Sequence, residues 1–169
     1  METILTKLIA KISRYEIITN IVPGALLAYI LTYIGYNIML DNTILNIVVC
    51  YYVGIINNRF SSLCIEGIMK CAGWIEWREY EQYNRAKKER PFIASLQESA
   101  NQYRAFSSVF LISVVAFGFS KLQETVPFFF EYGYVFVIFA LFILFLLSYR
   151  KQVNNYIVKQ IDEVNNKNV

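Results

Sequence analysis

Four long stretches without a charged side chain divide the sequence, at 17–40, 42–58, 105–120 and 132–149. A helix that crosses a bilayer needs about 20 apolar residues, with a range of about 17–25. The first and last stretches fall in this range unaided, and the other two need flanking apolar residues. The pattern predicts four membrane-spanning helices, at about 18–40, 43–63, 102–120 and 128–149. The alternative is two spans and two buried helices of a soluble part.

Basic residues lie almost entirely on one side of a four-span topology. Of the 16 Lys and Arg residues, 15 lie in the segment up to Arg14, in the middle segment from Arg59 to Arg104, or in the tail from Arg150. The exception, Lys121, lies between the third and fourth spans. Because cytoplasmic loops carry the excess of Lys and Arg, both termini and the middle segment are predicted to be cytoplasmic.

Composition agrees with a membrane protein and restricts the chemistry. Hydrophobic residues make up 56% of the chain and charged residues 17%, whereas a soluble domain has about 25% charged residues. The chain has no histidine, which removes imidazole metal ligands and histidine-dependent triads. Its three cysteines match no zinc motif. We therefore expect a protein that is not an enzyme, with no catalytic residue, metal site or cofactor.

Helical patterns continue outside the four spans. Residues 3–15 have one apolar face and resemble an in-plane interfacial helix, and the tail at 150–169 has a narrow apolar stripe. Between the second and third spans, 64–101 forms a short cytoplasmic helical elbow. The predicted fold is all-α: a single membrane domain over 1–169, built as an integral four-helix bundle with these additional helices.

Three local features predict where helices begin and end. Asn20 is a candidate N-cap for the first span. Pro91 should stop the helix before it. The sequence from Ser95 to Glu98 is a capping box that predicts the start of the next helix. The second helix contains nothing that breaks it before about Gly73.

Polar side chains share one face of the second span. Asn46, Cys50 and Asn57 fall within about 40° of each other on a helical projection. Polar side chains in a bilayer usually face the bundle interior or a water-filled path. They are therefore either interhelical hydrogen-bonding groups or candidate pore-lining residues.

Charged residues mark the cytoplasmic end of the same helix. Arg59, Glu66 and Lys70 lie at a cytoplasmic mouth or gate in this topology, and Glu66 and Lys70 have the favourable i, i+4 order. An ionisable group so close to hydrocarbon is costly unless it is paired. Structural pairing with other helices, a gate and a ligand contact all remain open.

Basic and aromatic residues are interleaved in the elbow. Such a pattern beside a membrane binds anionic lipid headgroups, and elsewhere it binds nucleotides or nucleic acid. A cytoplasmic protein is a further possible partner, and contact with nucleotides or nucleic acid is the least favoured. The candidate contact residues are Trp74, Trp77, Arg85, Lys87, Lys88, Arg90 and Arg104.

Four short motifs are spread along the chain: PG at 23–24, RFSSLCIE at 59–66 with Lys70, LQESANQYR at 96–104 and SYRKQ at 148–152. Together they resemble motifs of small bacterial multi-pass membrane proteins found in antiphage-defence neighbourhoods. Such proteins include membrane accessory proteins of RNA-targeting CRISPR loci and the membrane subunit of the Kiwa system. The sequence departs from the pattern at Ser61, where the family has Gly, at Gly67, where it has Pro, and at 99–100.

The resemblance implies a defence component of the bacterial inner membrane, without catalytic residues to carry over. Four helices in one copy enclose a packed bundle, so a pore would need several copies around an axis. We therefore expect a homo-oligomer in the lipid bilayer that permeabilises or depolarises the membrane when triggered from the cytoplasm. The alternative is a non-conducting sensor or scaffold that holds a cytoplasmic effector through the basic elbow.

Overall fold

A computed structural model of the protein describes residues 14–75 and 80–154, which form helices and short connections with no strand among them. Four of the described helices are long and apolar enough to cross a membrane. The all-α prediction is confirmed to this extent, and the architecture fits a multi-pass membrane protein. Trp77, nearly all of the predicted in-plane helix and most of the tail lie outside the described residues.

The first long helix, α1, comprises Arg14–Glu16, a π-helical turn at Ile17–Ile21, and Val22–Ile34. Asn20 lies inside this helix, so its prediction as an N-cap is wrong. The helix also ends six residues before the predicted limit of the span at Leu40. Gly35 adopts a φ of 115° there, and Tyr36 N–H donates to the Leu31 carbonyl at 2.9 Å. This closing pattern is a Schellman motif, which favours glycine.

The second long helix, α2, continues from Thr43 to Cys71 as the sequence predicts, in three segments: Thr43–Phe60, a π-helical turn at Ser61–Ile65, and Glu66–Cys71. Asn42 caps its start, because the side chain accepts hydrogen bonds from the amides of Ile44 and Leu45. A second Schellman motif closes it. Gly73 has a φ of 68°, and Trp74 N–H donates to the Met69 carbonyl at 3.1 Å.

Three further helices complete the described chain: α3 at Tyr80–Glu89, α4 at Phe92–Thr125 and α5 at Pro127–Gln152. The helix α3 ends just before Arg90 and Pro91, as predicted. The predicted start at the capping box is wrong, because α4 already begins at Phe92. Ser95 instead donates to the Phe92 carbonyl at 2.8 Å. Val126 is extended between α4 and α5, the conformation that a residue before proline prefers.

The long helices alternate in direction, so the bundle has two ends. The loop end carries 35–42 and Val126, where the Tyr36 hydroxyl donates to Gln123 Oε1 at 2.8 Å. The opposite end, which we call the Glu66 end, carries Glu66 and the connection to α3. α1 packs on α2 and α4, whereas α5 is the most exposed of the four. Within α5, Gly133 and Ser148 are the described residues that are buried.

Two glycines let α1 and α2 approach closely. A Cβ added to Gly24 would overlap the Cys50 carbonyl oxygen, and one added to Gly54 would overlap the Asn20 carbonyl oxygen. Gly24 of α1 and Gly54 of α2 thus lie at the same contact between the two helices. Small residues at such contacts are typical of helix pairs in membranes.

Candidate functional site

One carboxylate at the Glu66 end binds cations from three helices. Glu66 Oε1 accepts from Lys70 Nζ at 2.9 Å, and Oε2 accepts from Arg104 Nη1 at 2.9 Å and from Lys151 Nζ at 3.0 Å. We call these four residues the Glu66 cluster. Its carboxylate side chain is only 7% exposed, so the ion pairs are largely shielded from solvent.

The secondary structure explains how these side chains meet. Glu66 follows the π-helical turn of α2 directly, and Lys70 lies one helical turn beyond it. Arg104 comes from the first half of α4, and Lys151 from the last turn of α5. Lys151 Nζ also donates to the Ser62 carbonyl at 2.7 Å and to Ser62 Oγ at 2.9 Å. The cluster therefore joins α2, α4 and α5 at one point.

Cations outnumber the carboxylate in the cluster. Three of them contact Glu66, and Lys70 has a further interaction as well. Removing one partner of a buried ion pair is strongly destabilising because it leaves an uncompensated charge. Glu66 is thus the residue whose charge keeps the three cations together.

A cavity of about 190 Å³ adjoins the cluster. We call it the basic cavity. The π-helical turn of α2 borders it, since Ser62 and Leu63 belong to that turn, whereas Tyr15 lines it from the start of α1. Such turns in α-helices are frequent at functional sites. The described residues that line it are Tyr15, Asn58, Arg59, Ser62, Leu63, Arg104, Ser148 and Lys151.

Polar groups of the cavity wall fall into two sets. Several already have partners: Asn58 Nδ2 donates to Asn20 Oδ1 at 3.1 Å, and the Tyr15 hydroxyl accepts from Asn101 Nδ2 at 2.9 Å. Ser148 Oγ and Arg104 Nε, by contrast, are buried without a hydrogen-bond partner among the described residues. Buried polar groups are nearly always satisfied, so each of these two requires an explanation.

The candidate pore-lining residues do not share an open surface in one chain. Asn57 is fully buried, and its Nδ2 donates to the Ala105 carbonyl of α4 at 3.0 Å. Ser108 Oγ donates in return to the Asn57 carbonyl at 3.2 Å. Cys50 is buried as well, where α1 crosses α2 at Gly24. These positions favour the alternative of interhelical packing and hydrogen bonding for Cys50 and Asn57.

Asn46 lies apart from the other two, at the loop end. Its Nδ2 donates to the Leu40 carbonyl at 2.8 Å, and its Oδ1 accepts from the Leu40 amide at 2.7 Å. The side chain thereby holds the connection between α1 and α2. Its placement provides a structural role that the helical projection did not reveal.

The predicted residues of the cytoplasmic mouth are brought together in part. Glu66 and Lys70 are in the cluster, and the exposed Arg59 lines the basic cavity beside it. Arg104, which we predicted as a partner or lipid contact, binds Glu66 and also lines the basic cavity. Trp74 and the basic residues of the elbow are exposed and do not line the basic cavity, namely Arg85, Lys87, Lys88 and Arg90.

Lys151 and Ser148 are functional candidates that residue-by-residue reasoning missed. A lysine just after an apolar span is ordinarily an interfacial anchor, so nothing in its local pattern indicated a buried partner. The motifs offered a clue to both residues. Three of the motifs that carry the family resemblance contribute residues to the wall of the basic cavity. These are 59–66, 96–104 and 148–152.

Metal binding has no support from the side-chain arrangement. In the two described ranges, no three or more Cys, Asp or Glu side chains are grouped so that they could hold an ion. No protein-family model matches the chain, and no curated protein or solved structure is significantly similar to it. The function must therefore be argued from the geometry of the Glu66 end.

Proposed function

We propose that the protein is a multi-pass component of the bacterial inner membrane that acts as a homo-oligomeric, non-conducting sensor or scaffold in an antiphage defence system. The observation that carries this proposal is the Glu66 cluster, which joins three spans at the end of the bundle from which the elbow extends. The defence context comes from the motif resemblance, and the cytoplasmic orientation from the distribution of basic residues.

The cluster supports sensing because it is a contact that a partner can change. A ligand or effector that competes for Glu66 or one of its cations alters the contacts of α2, α4 and α5 together. A binding event shifts an equilibrium only by its differential affinity for two states, and buried ion pairs provide such a difference. Exposed basic residues on α3 then offer the docking surface for a cytoplasmic protein of acidic character.

Oligomerisation is supported by the exposed apolar faces of α4 and α5. Phe110, Val114 and Phe117 are exposed on α4, and Phe136, Phe139 and Phe142 on α5. In a bilayer such faces pack against lipid or against further copies of the chain. Closed homo-oligomers are the common arrangement of identical chains.

Membrane permeabilisation is the second candidate function. These same exposed faces favour it, because they leave room for several copies to surround a common axis. The path would need lining residues other than Cys50 and Asn57, whose side chains are buried within a single chain. Because these candidate lining residues are buried, the non-conducting function is the better supported of the two.

The two functions make opposite predictions for cells that express the protein with its genomic neighbours. We expect reduced phage plating without a change in dye-reported membrane potential. Reversing two charges of α3, Lys87→Glu with Lys88→Glu, should abolish protection and co-purification of a cytoplasmic partner, while the oligomer stays intact by crosslinking. The control is Lys121→Glu, at the loop end, which should leave protection unchanged.

Depolarisation on phage infection, dependent on this protein, would contradict the non-conducting function and favour permeabilisation. Protection that survives charge reversal on α3 would contradict the docking surface. Absence of any protection, with the protein folded in the membrane, would contradict the defence context itself.

A further inference from the structure

We propose that the basic cavity at the Glu66 end binds a phosphate group of an anionic ligand. Arg59, Arg104 and Lys151 line the cavity, and the described part of its wall includes no carboxylate. The proposed function treats Arg104 and Lys151 only as structural partners of Glu66, whereas this inference makes both part of a binding site. The inference rests on the proposed function solely for the side of the membrane that the cavity faces.

Charge favours an anion in this position. Glu66 neutralises one positive charge of the neighbouring cluster, but Arg104 and Lys151 share a single oxygen, Oε2. Arg59 adds a third cation to the wall, and its side chain is exposed. Guanidinium groups match phosphate geometry because their planar donors bind two oxygens at once.

An independent observation comes from buried donors that have no partner. Ser148 is only 8% exposed and lines the cavity, yet its Oγ has no hydrogen-bond partner among the described residues. Arg104 Nε is also buried without a partner among the described residues, although Nη1 of that side chain binds Glu66. A phosphate oxygen accepts from hydroxyl and guanidinium donors. Because both atoms are buried, a bound phosphate would satisfy them after their side chains turn toward the cavity.

The size and position of the cavity allow more than a water molecule to bind. One buried water needs only roughly 15 Å³, far less than the 190 Å³ of this cavity. The site lies where the charge-free stretches of the spans end, with Leu63 among its lining residues, so the phosphate of a phospholipid would reach it from the bilayer. A soluble phosphate compound presents the same chemistry from the aqueous side, and experiment separates the two sources.

Binding is tested on the full-length protein, purified in a detergent that contains no phosphate. One arm titrates phosphatidylglycerol, with diacylglycerol as the uncharged lipid, and counts bound molecules by native mass spectrometry. The other arm titrates inorganic pyrophosphate and follows heat by calorimetry. We expect binding of at least one phosphate-bearing probe, and none of diacylglycerol at the same concentrations.

Matched variants locate the binding. Arg59→Gln should raise the apparent Kd at least about tenfold, since the loss of a hydrogen bond to a charged group reduces affinity by about that factor. Lys121→Gln removes one positive charge from an exposed side chain at the loop end and should leave the Kd unchanged. Ser148→Ala provides a second variant that alters no charge and should also weaken binding.

Each outcome bears on the inference. Binding of phosphatidylglycerol alone assigns the site to lipid, and binding of pyrophosphate alone assigns it to a soluble compound. Equal effects of Arg59→Gln and Lys121→Gln would overturn the site, as would equal binding of diacylglycerol or no binding of either phosphate probe. Because the assay contains neither phage nor effector, its failure is distinguishable from failure of the proposed defence function.

Discussion

At the scale of single residues, Glu66 is the side chain whose contacts join three of the described helices. Its carboxylate is nearly buried, and its three cationic partners differ in exposure: Lys70 is 44% exposed, whereas Arg104 and Lys151 are 20% and 18% exposed. The pairs with Arg104 and Lys151 are therefore less screened by water than the pair with Lys70. Specificity of helix arrangement, more than net stability, is what such a buried cluster contributes in some proteins.

We expect Glu66→Gln to destabilise the folded protein by about 3 kcal/mol, because three cations then face a neutral amide. This value is the lower end of the usual range, since Arg104 and Lys151 remain one-fifth exposed. The thermal unfolding midpoint in detergent measures the change. Glu124→Gln is the matched control: its pair with Lys121 is exposed, so its loss should cost less than about 1 kcal/mol. Equal shifts for the two variants would contradict the structural importance of the cluster.

At the scale of elements, the first two long helices share an unusual construction. Each contains one π-helical turn, at Ile17–Ile21 in α1 and at Ser61–Ile65 in α2. The two helices also meet backbone to backbone through Gly24 and Gly54. The close approach brings Asn20 of α1 beside Asn58 of α2, whose amide donates to it at 3.1 Å. Small residues thus place the polar groups that border the basic cavity.

Gly54→Ala tests this close approach. The added methyl would meet the Asn20 backbone, which cannot rotate away as a side chain could, so we expect a loss of about 1–3 kcal/mol. Gly67→Ala is the control within the same long helix, because no neighbouring atom of the described residues lies within 4 Å of the new methyl. Replacing a helical glycine there should stabilise the protein by up to about 1 kcal/mol. Thermal unfolding of the two variants should move in opposite directions, and a shift of Gly54→Ala toward higher temperature would contradict the packing.

At the scale of the whole molecule, the two ends of the bundle differ in chemistry. The loop end is joined by neutral hydrogen bonds, through Asn46 and through Tyr36 with Gln123. The Glu66 end holds the buried ion pairs and the basic cavity. An orientation in which the Glu66 end faces the cytoplasm agrees with the excess of basic residues on that side.

Native cysteines allow this orientation to be measured. Cys71 is exposed near the Glu66 end, whereas Cys50 is buried. A membrane-impermeant maleimide should therefore label Cys71 in inverted membrane vesicles and not in cells with a permeabilised outer membrane.

The complementary reporter is Asp41→Cys in a Cys71→Ser background, at the exposed loop end. It should show the reverse pattern, with Cys71→Ser alone as the background from the half-buried Cys64. Labelling of Cys71 from outside would contradict the predicted orientation.

Much of the helical architecture could be predicted locally. The apolar stretches identified the four long helices, and Pro91 marked the boundary between α3 and α4, because backbone hydrogen bonding and proline geometry are local properties. Local reasoning failed at helix ends where two local patterns predicted different boundaries. Gly35 ended α1 before the apolar stretch was over, and Ser95 formed a bond inside a helix that had already begun.

The sequence by itself determined that this is an all-helical protein with four helices suited to a membrane, and it placed Glu66 and Lys70 on one helix face. Only the tertiary structure decided which side chains meet. Arg104 and Lys151 lie 38 and 85 positions from Glu66 in the chain, and three separate helices bring them within 3.0 Å of its oxygens. Helical periodicity relates residues within one helix, whereas contacts between helices depend on how their surfaces pack. The basic cavity therefore forms only in the folded bundle, since residues of separate helices line it.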